Sequence, residues 1–250
     1  MSRIEQALKK MEDVQKARPK EVEASIVVAG AEGVHVDERV VAYHQPGTAL
    51  TENFKQFNTV VQAMTQGAAS TLAFTSASKG EGKSVVALNF AVALAYDCGG
   101  PVCLVDADLR NPSLHRLMGM RNTRGIADVL EGKLAVEDAP LPTPIEKLFL
   151  ITAGNIPANP SELFGSRRAA QVIGELRSRF DYVVFDTASV LPAADTIHLA
   201  SHLDGVVMVI QAGNTRRKQA ERAVELLGHA NVLGFILNKS EREKSIKDYT

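Results

Sequence analysis

The sequence predicts an α/β fold: a doubly wound, mostly parallel sheet preceded by an N-terminal helical arm. Three observations predict it. From residue 71 onward, short apolar runs recur that suit strands buried on both faces. Helical stretches separate most of these runs, which is the alternation that builds a parallel sheet. A glycine-rich turn joins the first run to the first long helix, and runs further along end in aspartates. In such folds ligands bind at the carboxyl ends of the strands.

Taken in order, residues 2–18 read as an amphipathic helix, with Ile4, Ala7, Leu8, Met11 and Val14 on one stripe. Residues 19–48 mix charge, Gly, Pro and short apolar runs without a clear period, as a linker or loosely packed arm does. Pro46-Gly47 marks a turn before a helix at 51–66. Strands are expected at 71–75, 101–105, 148–152, 182–185, 206–210 and 232–237. The main helices between them are expected at 84–95, 167–179 and 215–227. The organisation is therefore an N-terminal helix and linker (1–48), an α/β domain (49–240) and a flexible tail (241–250).

The bulk composition narrows the partners. A formal net charge of -1 lacks the basic surface that displaces counterions from nucleic acid, so no nucleic-acid partner is expected. No stretch approaches the roughly 18 apolar residues of a membrane span, and the first residues lack the apolar core of a secretory signal. A cytoplasmic chain with no membrane span of its own is expected. Cys98 and Cys103 are the two cysteines. Without a Cys or His partner at metal-ligand spacing they read as buried free thiols. His198 and His202 lie one helical turn apart, but no Glu follows the first as a hydrolytic zinc motif requires.

The strongest motif is Ala77-Ser78-Lys79-Gly80-Glu81-Gly82-Lys83-Ser84, set between a strand and a helix that starts at Val85. This is the context of a P-loop. Gly80 and Gly82 let backbone N–H groups turn toward a phosphate chain, and the helix N-terminus adds partial positive charge. Ser78, Lys79, Gly80, Glu81, Gly82, Lys83, Ser84 and Val85 are the expected ATP-binding residues. Lys83 reaches the β- and γ-phosphates, and the Ser84 hydroxyl coordinates Mg²⁺. The implied ligands are therefore ATP and Mg²⁺. A second cluster, Asp106-Ala107-Asp108-Leu109-Arg110, ends an apolar strand with two carboxylates that suit a metal shell or a proton acceptor. In the third, Asp186 closes the strand begun at Tyr182, as an acid that orients the Mg²⁺ shell does.

With these motifs in place, the sequence resembles the bacterial tyrosine kinases of capsular polysaccharide and exopolysaccharide biosynthesis, a branch of the P-loop group that includes the Min and Par ATPases. The resemblance runs from about residue 52 to 240. It rests on the P-loop and on residues 106–115, 125–132, 153–163 and 234–239. The opening Met-Ser-Arg-Ile-Glu-Gln-Ala-Leu is similar to the exosortase-associated subgroup. The resemblance implies an autophosphorylating, ATP-dependent protein-tyrosine kinase that regulates exopolysaccharide synthesis or export. It implies catalytic roles for Lys83, Asp106, Asp108 and Asp186, metal ligation by Ser84, Asp106 and Asp186, and adenine contact by Asn238. It further implies Tyr249 as phospho-acceptor, self-association, and a membrane-embedded chain-length adaptor that brings the chain to the inner face of the cell membrane. Other readings of the same motifs are a Min/Par-type ATPase switch and a nucleotide-binding scaffold with weak turnover.

Several positions depart from those relatives. Ser78 stands where Min and Par ATPases carry a signature lysine, and Lys79 where the kinases often have Pro. Asp186 is followed by Thr187-Ala188 rather than x-Pro. Lys55 and Asn58 replace the two arginines of the family's oligomerisation helix, and Tyr249 is the one tyrosine of the final segment.

Overall fold

Runs that are apolar without alternation demand cover on both faces, and the structure provides it. It is a computed structural model that describes residues 35–64, 67 and 70–240, all within one unit, Glu32–Thr250. The strands are β1 (Thr71–Ser76), β2 (Val102–Ala107), β3 (Leu141–Pro142), β4 (Leu148–Ile151), β5 (Tyr182–Thr187), β6 (Gly205–Gln211) and β7 (Val232–Asn238). They form one seven-stranded sheet in the order β3-β4-β2-β5-β1-β6-β7. Every pairing is parallel except that of β3 with β4. The chain leaves β1 in one direction to build β2 to β5 and crosses to the other side for β6 and β7. The carboxyl ends of β1, β5 and β2 thus meet near the switch in strand order, where α/β sheets bind ligands.

Alternate residues of each strand serve opposite layers. Leu72, Phe74, Val102, Leu104 and Val184 face one core, with α2 (Ala49–Met64) and α3 (Lys83–Asp97). Cys103, Val105, Val183 and Phe185 face the other, with α7 (Arg167–Arg179). The helix after the P-loop, α3, is buried without interruption from Val86 to Ala95. A helix that is apolar all round belongs in the interior. Phe90 of α3 meets Phe74 of β1 at 5.1 Å and Phe57 of α2 at 5.6 Å between ring centres. The outer helix α7 is amphipathic instead. Its Ser166 cap accepts from the Ala169 N–H, and Ala169, Val172, Ile173 and Leu176 form the inward stripe.

The boundary expected between residues 48 and 49 falls inside packed structure. Val36, Val40 and Ala42 are buried in the same core as Phe54 and Phe90, and α1 (Val41–His44) is a single turn of that segment. Asn89 of α3 pins it. Its Oδ1 accepts from the Ala42 N–H at 2.8 Å, and its Nδ2 donates to the carbonyls of Arg39 at 3.0 Å and Val85 at 2.8 Å. No period is readable here because a single helical turn and irregular chain do the packing.

Cys98 is half-buried and Cys103 buried, both free. Among the described residues no helix is long and apolar enough to cross a membrane. The expected amphipathic helix 2–18, the linker up to residue 34 and the tail 241–250 with Tyr249 lie outside the described residues.

Candidate active site

The P-loop starts where β1 stops. Gly80 has φ +85° and Gly82 φ +92°, the left-handed region that favours glycine. Gly82 caps the N-terminus of α3, so the helix points its free N–H groups at the loop. Side chains from distant elements hold the loop in this shape. The Glu81 side chain turns inward and is 2% exposed. Its carboxylate accepts from the Ser78 N–H at 3.1 Å and from the Thr215 hydroxyl. The Asn238 Nδ2 donates to the Glu81 carbonyl at 2.9 Å, and the Lys239 Nζ to the Gly80 carbonyl at 2.7 Å. The ends of β6 and β7 therefore pre-form the phosphate cradle, which lowers the ordering cost of binding.

A Cβ on Gly82 would lie 2.1 Å from the Asn238 Nδ2. Strain of roughly 1–3 kcal/mol makes Gly82→Ala bind ADP about tenfold or more weakly, as read by calorimetry. Affinity within twofold of the unmodified chain would contradict this strapping of the loop.

Beneath the loop lies a charged cluster. The Lys83 Nζ stands 2.7 Å from Asp108 Oδ2, 3.7 Å from Asp186 Oδ1 and 3.4 Å from Ser84 Oγ. Burial disfavours the ammonium, but Asp186 and Asp108 outweigh it and raise the lysine pKa above its ordinary value. Asp106 and Asp186 are direct register partners on β2 and β5. The Asp106 Oδ2 accepts from the N–H groups of Ser113 and Leu114, each at 2.9 Å, at the start of α4 (Leu114–Leu117). Its Oδ1, and both oxygens of Asp186, are buried without a hydrogen-bond partner. Burial pushes the Asp106 carboxyl up, the Asp186 charge adds to this, and the result is about 8. Burial also raises Asp186, with Lys83 pulling against it, to about 6.

These orphaned oxygens test the expected metal. Mg²⁺ prefers hard oxygen donors and is held by one or two carboxylates together with water and substrate phosphates. Asp186, Asp106 and the Ser84 hydroxyl make such a set. Among the described residues no group of three or more His, Cys, Asp or Glu side chains forms an all-protein cage. The residues fit Mg²⁺.

Two clefts meet above this cluster. The first, about 490 Å³, is lined by Gly80, Gly82, Lys83, Ser84, Val85 and Asn238 of the expected ATP-binding set. Asp37, Arg39, Ser113, Arg116, Leu117 and Lys239 complete it. The second, about 450 Å³, is lined by Lys79, Gly80, Lys83, Asp108, Arg110 and Asn111, and by Ala188, Ser189, Pro192 and Ala193. Lys79 of the same set lines the second cleft. Ser78 lines neither, since its N–H serves Glu81. A larger cavity of about 660 Å³, walled by Ile210, Val224 and Phe235, holds no aspartate–lysine cluster.

Some contributors were missed. Asp195 is 1% exposed and takes a two-pronged bond from Arg110, 2.6 Å from Nε and 3.0 Å from Nη2, plus the Ser161 hydroxyl. It begins the short helix α8 (Asp195–Ala200), and nothing in its local sequence announces a partner 85 positions away. Arg39 pairs with Asp37 at 2.8 Å in the segment that had no readable period. Lys239, next to Asn238, was the one within reach of sequence reading.

The ParA family profile, described as NUBPL iron-transfer P-loop NTPase, matches residues 67–245. The chain is 35% identical over 215 residues to Tyrosine-protein kinase YwqD of Bacillus subtilis (strain 168), covering 85% of this chain and 90% of that protein. It is 30% identical over 215 residues to Tyrosine-protein kinase wzc of Salmonella typhi, covering 84% of this chain and 30% of that protein. Among solved structures, the chimerical protein CapA2B2 matches with a TM-score of 0.78 at 28% identity, over 84% of this chain and 96% of that one. The chain belongs to the bacterial tyrosine-protein kinase family, within the ParA-type P-loop NTPases.

Proposed function

We propose that the two clefts are a donor site for ATP and an acceptor site for a protein tyrosine, with Lys83 bridging them. The observation that carries this reading is that Gly80 and Lys83 line both clefts. A hydrolase needs room for water alone at the γ-phosphate, whereas a separate cleft of about 450 Å³ accommodates an aromatic side chain. Lys83 neutralises charge that develops on the transferring group, the main catalytic demand of phosphoryl transfer. Asp108, at the acceptor side of Lys83, takes the phenolic proton as the tyrosine oxygen bonds to phosphorus and the bond to ADP breaks. Mg²⁺, when held by Ser84, Asp106 and Asp186, supplies neutralisation of the phosphate oxygens. Asn238, which lines the donor cleft while bracing Glu81, is proposed to face the adenine.

The finer assignments belong to the same proposal. Tyr249 serves as acceptor in a second copy of the chain, and a membrane-embedded chain-length adaptor recruits the kinase to the inner face of the membrane. Exopolysaccharide synthesis or export is the regulated process. The adaptor is supported by the 30% coverage of wzc: that relative carries much more chain than the part matched here.

The test is incubation of the purified chain with Mg²⁺ and ATP, followed in parallel for phosphotyrosine and free phosphate. Phosphotyrosine should grow with time above an unincubated control and vanish on chelation of Mg²⁺. Phosphate release with no tyrosine ever labelled would leave the Min/Par-type switch as the better account, and release of neither would leave a nucleotide-binding scaffold.

A further inference from the structure

We infer that the acceptor cleft selects a tyrosine with an aspartate or glutamate beside it, and that Lys79 reads this acidic neighbour. The inference rests on the donor–acceptor reading above and names the class of acceptor.

The charges lining the cleft are Lys79, Lys83, Asp108 and Arg110. Lys83 and Asp108 are bonded to each other at 2.7 Å. Arg110 is bonded through Nε and Nη2 to the buried Asp195, which offsets its charge from behind and fixes its plane. Lys79 is exposed, and among the described residues its ammonium has no ion-pair or hydrogen-bond partner. Among the described residues, Lys79 is thus the exposed cation of this lining that carries no partner.

The rest of the cleft suits a phenol ring. Ala188, Pro192 and Ala193 add apolar lining to the cleft that holds Lys83 and Asp108. That lining is held rigidly against the strand and the P-loop. The Ala188 carbonyl accepts from the hydroxyls of Thr75 at 2.8 Å and Thr196 at 2.6 Å. The N–H groups of Val190 and Leu191 donate to the carbonyls of Ser76 at 2.9 Å and Ala77 at 3.2 Å. A ring seated on this lining, with its hydroxyl at Asp108, leaves its backbone neighbours beside Lys79. There a carboxylate is attracted and a lysine repelled. Nη1 of Arg110, unused by Asp195, adds a second donor on the same rim. The sequence itself contains such a pair, Asp248-Tyr249.

The test uses synthetic peptides of residues 241–250 in three forms: unmodified, Asp248→Ala and Asp248→Lys. For each, kcat/KM for tyrosine phosphorylation is measured, and binding is measured separately by fluorescence anisotropy with ADP and Mg²⁺ present. The Asp form should exceed the Lys form by about tenfold, as one partly exposed charge pair gained and one repulsion removed would give. Lys79→Ala should shrink that ratio to about twofold, and Lys79→Glu should invert it. Equal binding of the three peptides, or a ratio that survives Lys79→Glu, overturns the inference. So does a Lys79→Glu effect confined to ATP affinity, which would move this lysine to the nucleotide. Selective binding without phosphorylation of any form would uphold the cleft's preference and defeat the kinase reading instead.

Discussion

Lys83→Met abolishes phosphotyrosine formation, lowering kcat by about 10²–10³-fold or more, the range found when one pre-organised charge donor is removed from a transition state. The position explains the size. Among the described residues Lys83 is the one cation bonded to Asp108 and adjacent to Asp186, and it lines both donor and acceptor clefts. Methionine keeps the length and apolar stem but leaves two buried carboxylates facing each other without a counter-charge. ADP affinity should fall less than kcat, because the loop's N–H groups and the braces from Glu81, Asn238 and Lys239 persist. Radiolabelled ATP with quantification of phosphotyrosine reads the first effect, and calorimetry the second. Transfer within tenfold of the unmodified chain would show that Lys83 organises the loop without touching the transferring group.

The sheet was legible because its strands are covered on both faces. Uninterrupted apolar runs at 71–75 and 182–185 leave no other structure as economical, and β1 and β5 extend them by one or two residues. The P-loop was legible for a different reason: left-handed glycines, a lysine and a helix start must coincide in order. What could not be read is whatever depends on tertiary partners. β3 is two residues long, ends in Pro142 and pairs only at the sheet edge, so it has no pattern. The helices at Leu114–Leu117, Ile126–Leu130 and Pro160–Phe164 are each too short to show a period. Asp106 was recognised as an acid at a strand end, but its double role was not. One oxygen accepts from two N–H groups at a helix start and the other is left bare. That Lys79 lines one cleft together with Asp108 and Ala188 depends on how distant segments pack, which its place in the loop does not show.

The bare carboxylates lead to a prediction in which stability and activity move in opposite directions. Asp106→Asn should make the nucleotide-free protein more stable while lowering phosphoryl transfer by at least about tenfold. In the free protein Asp106 is buried beside Asp186, and its pKa is raised well above that of an unfolded carboxylate. Between the unfolded value near 4 and the folded value of about 8, the native state holds more protons than the unfolded one. Stability therefore declines as pH rises through that window. Asparagine removes the charge, keeps an oxygen for the Ser113 and Leu114 N–H groups, and turns an amide toward Asp186. Relief of about 1 kcal/mol would raise Tm by roughly 2–4 °C for a domain of this size, and the decline between pH 5 and pH 8 should flatten. Addition of Mg²⁺ and ADP should reverse the order, since the unmodified chain gains a ligand for the cation and the variant does not. The measurement is a set of thermal melts at pH 5 and pH 8, with and without Mg²⁺ and ADP, on both proteins. If the variant melts lower than the unmodified chain without ligand at pH 8, Asp106 is already satisfied in the free protein, and the bare oxygens are not where the metal sits. If it melts higher and still transfers phosphate at full rate, the metal is held by Ser84 and Asp186 alone.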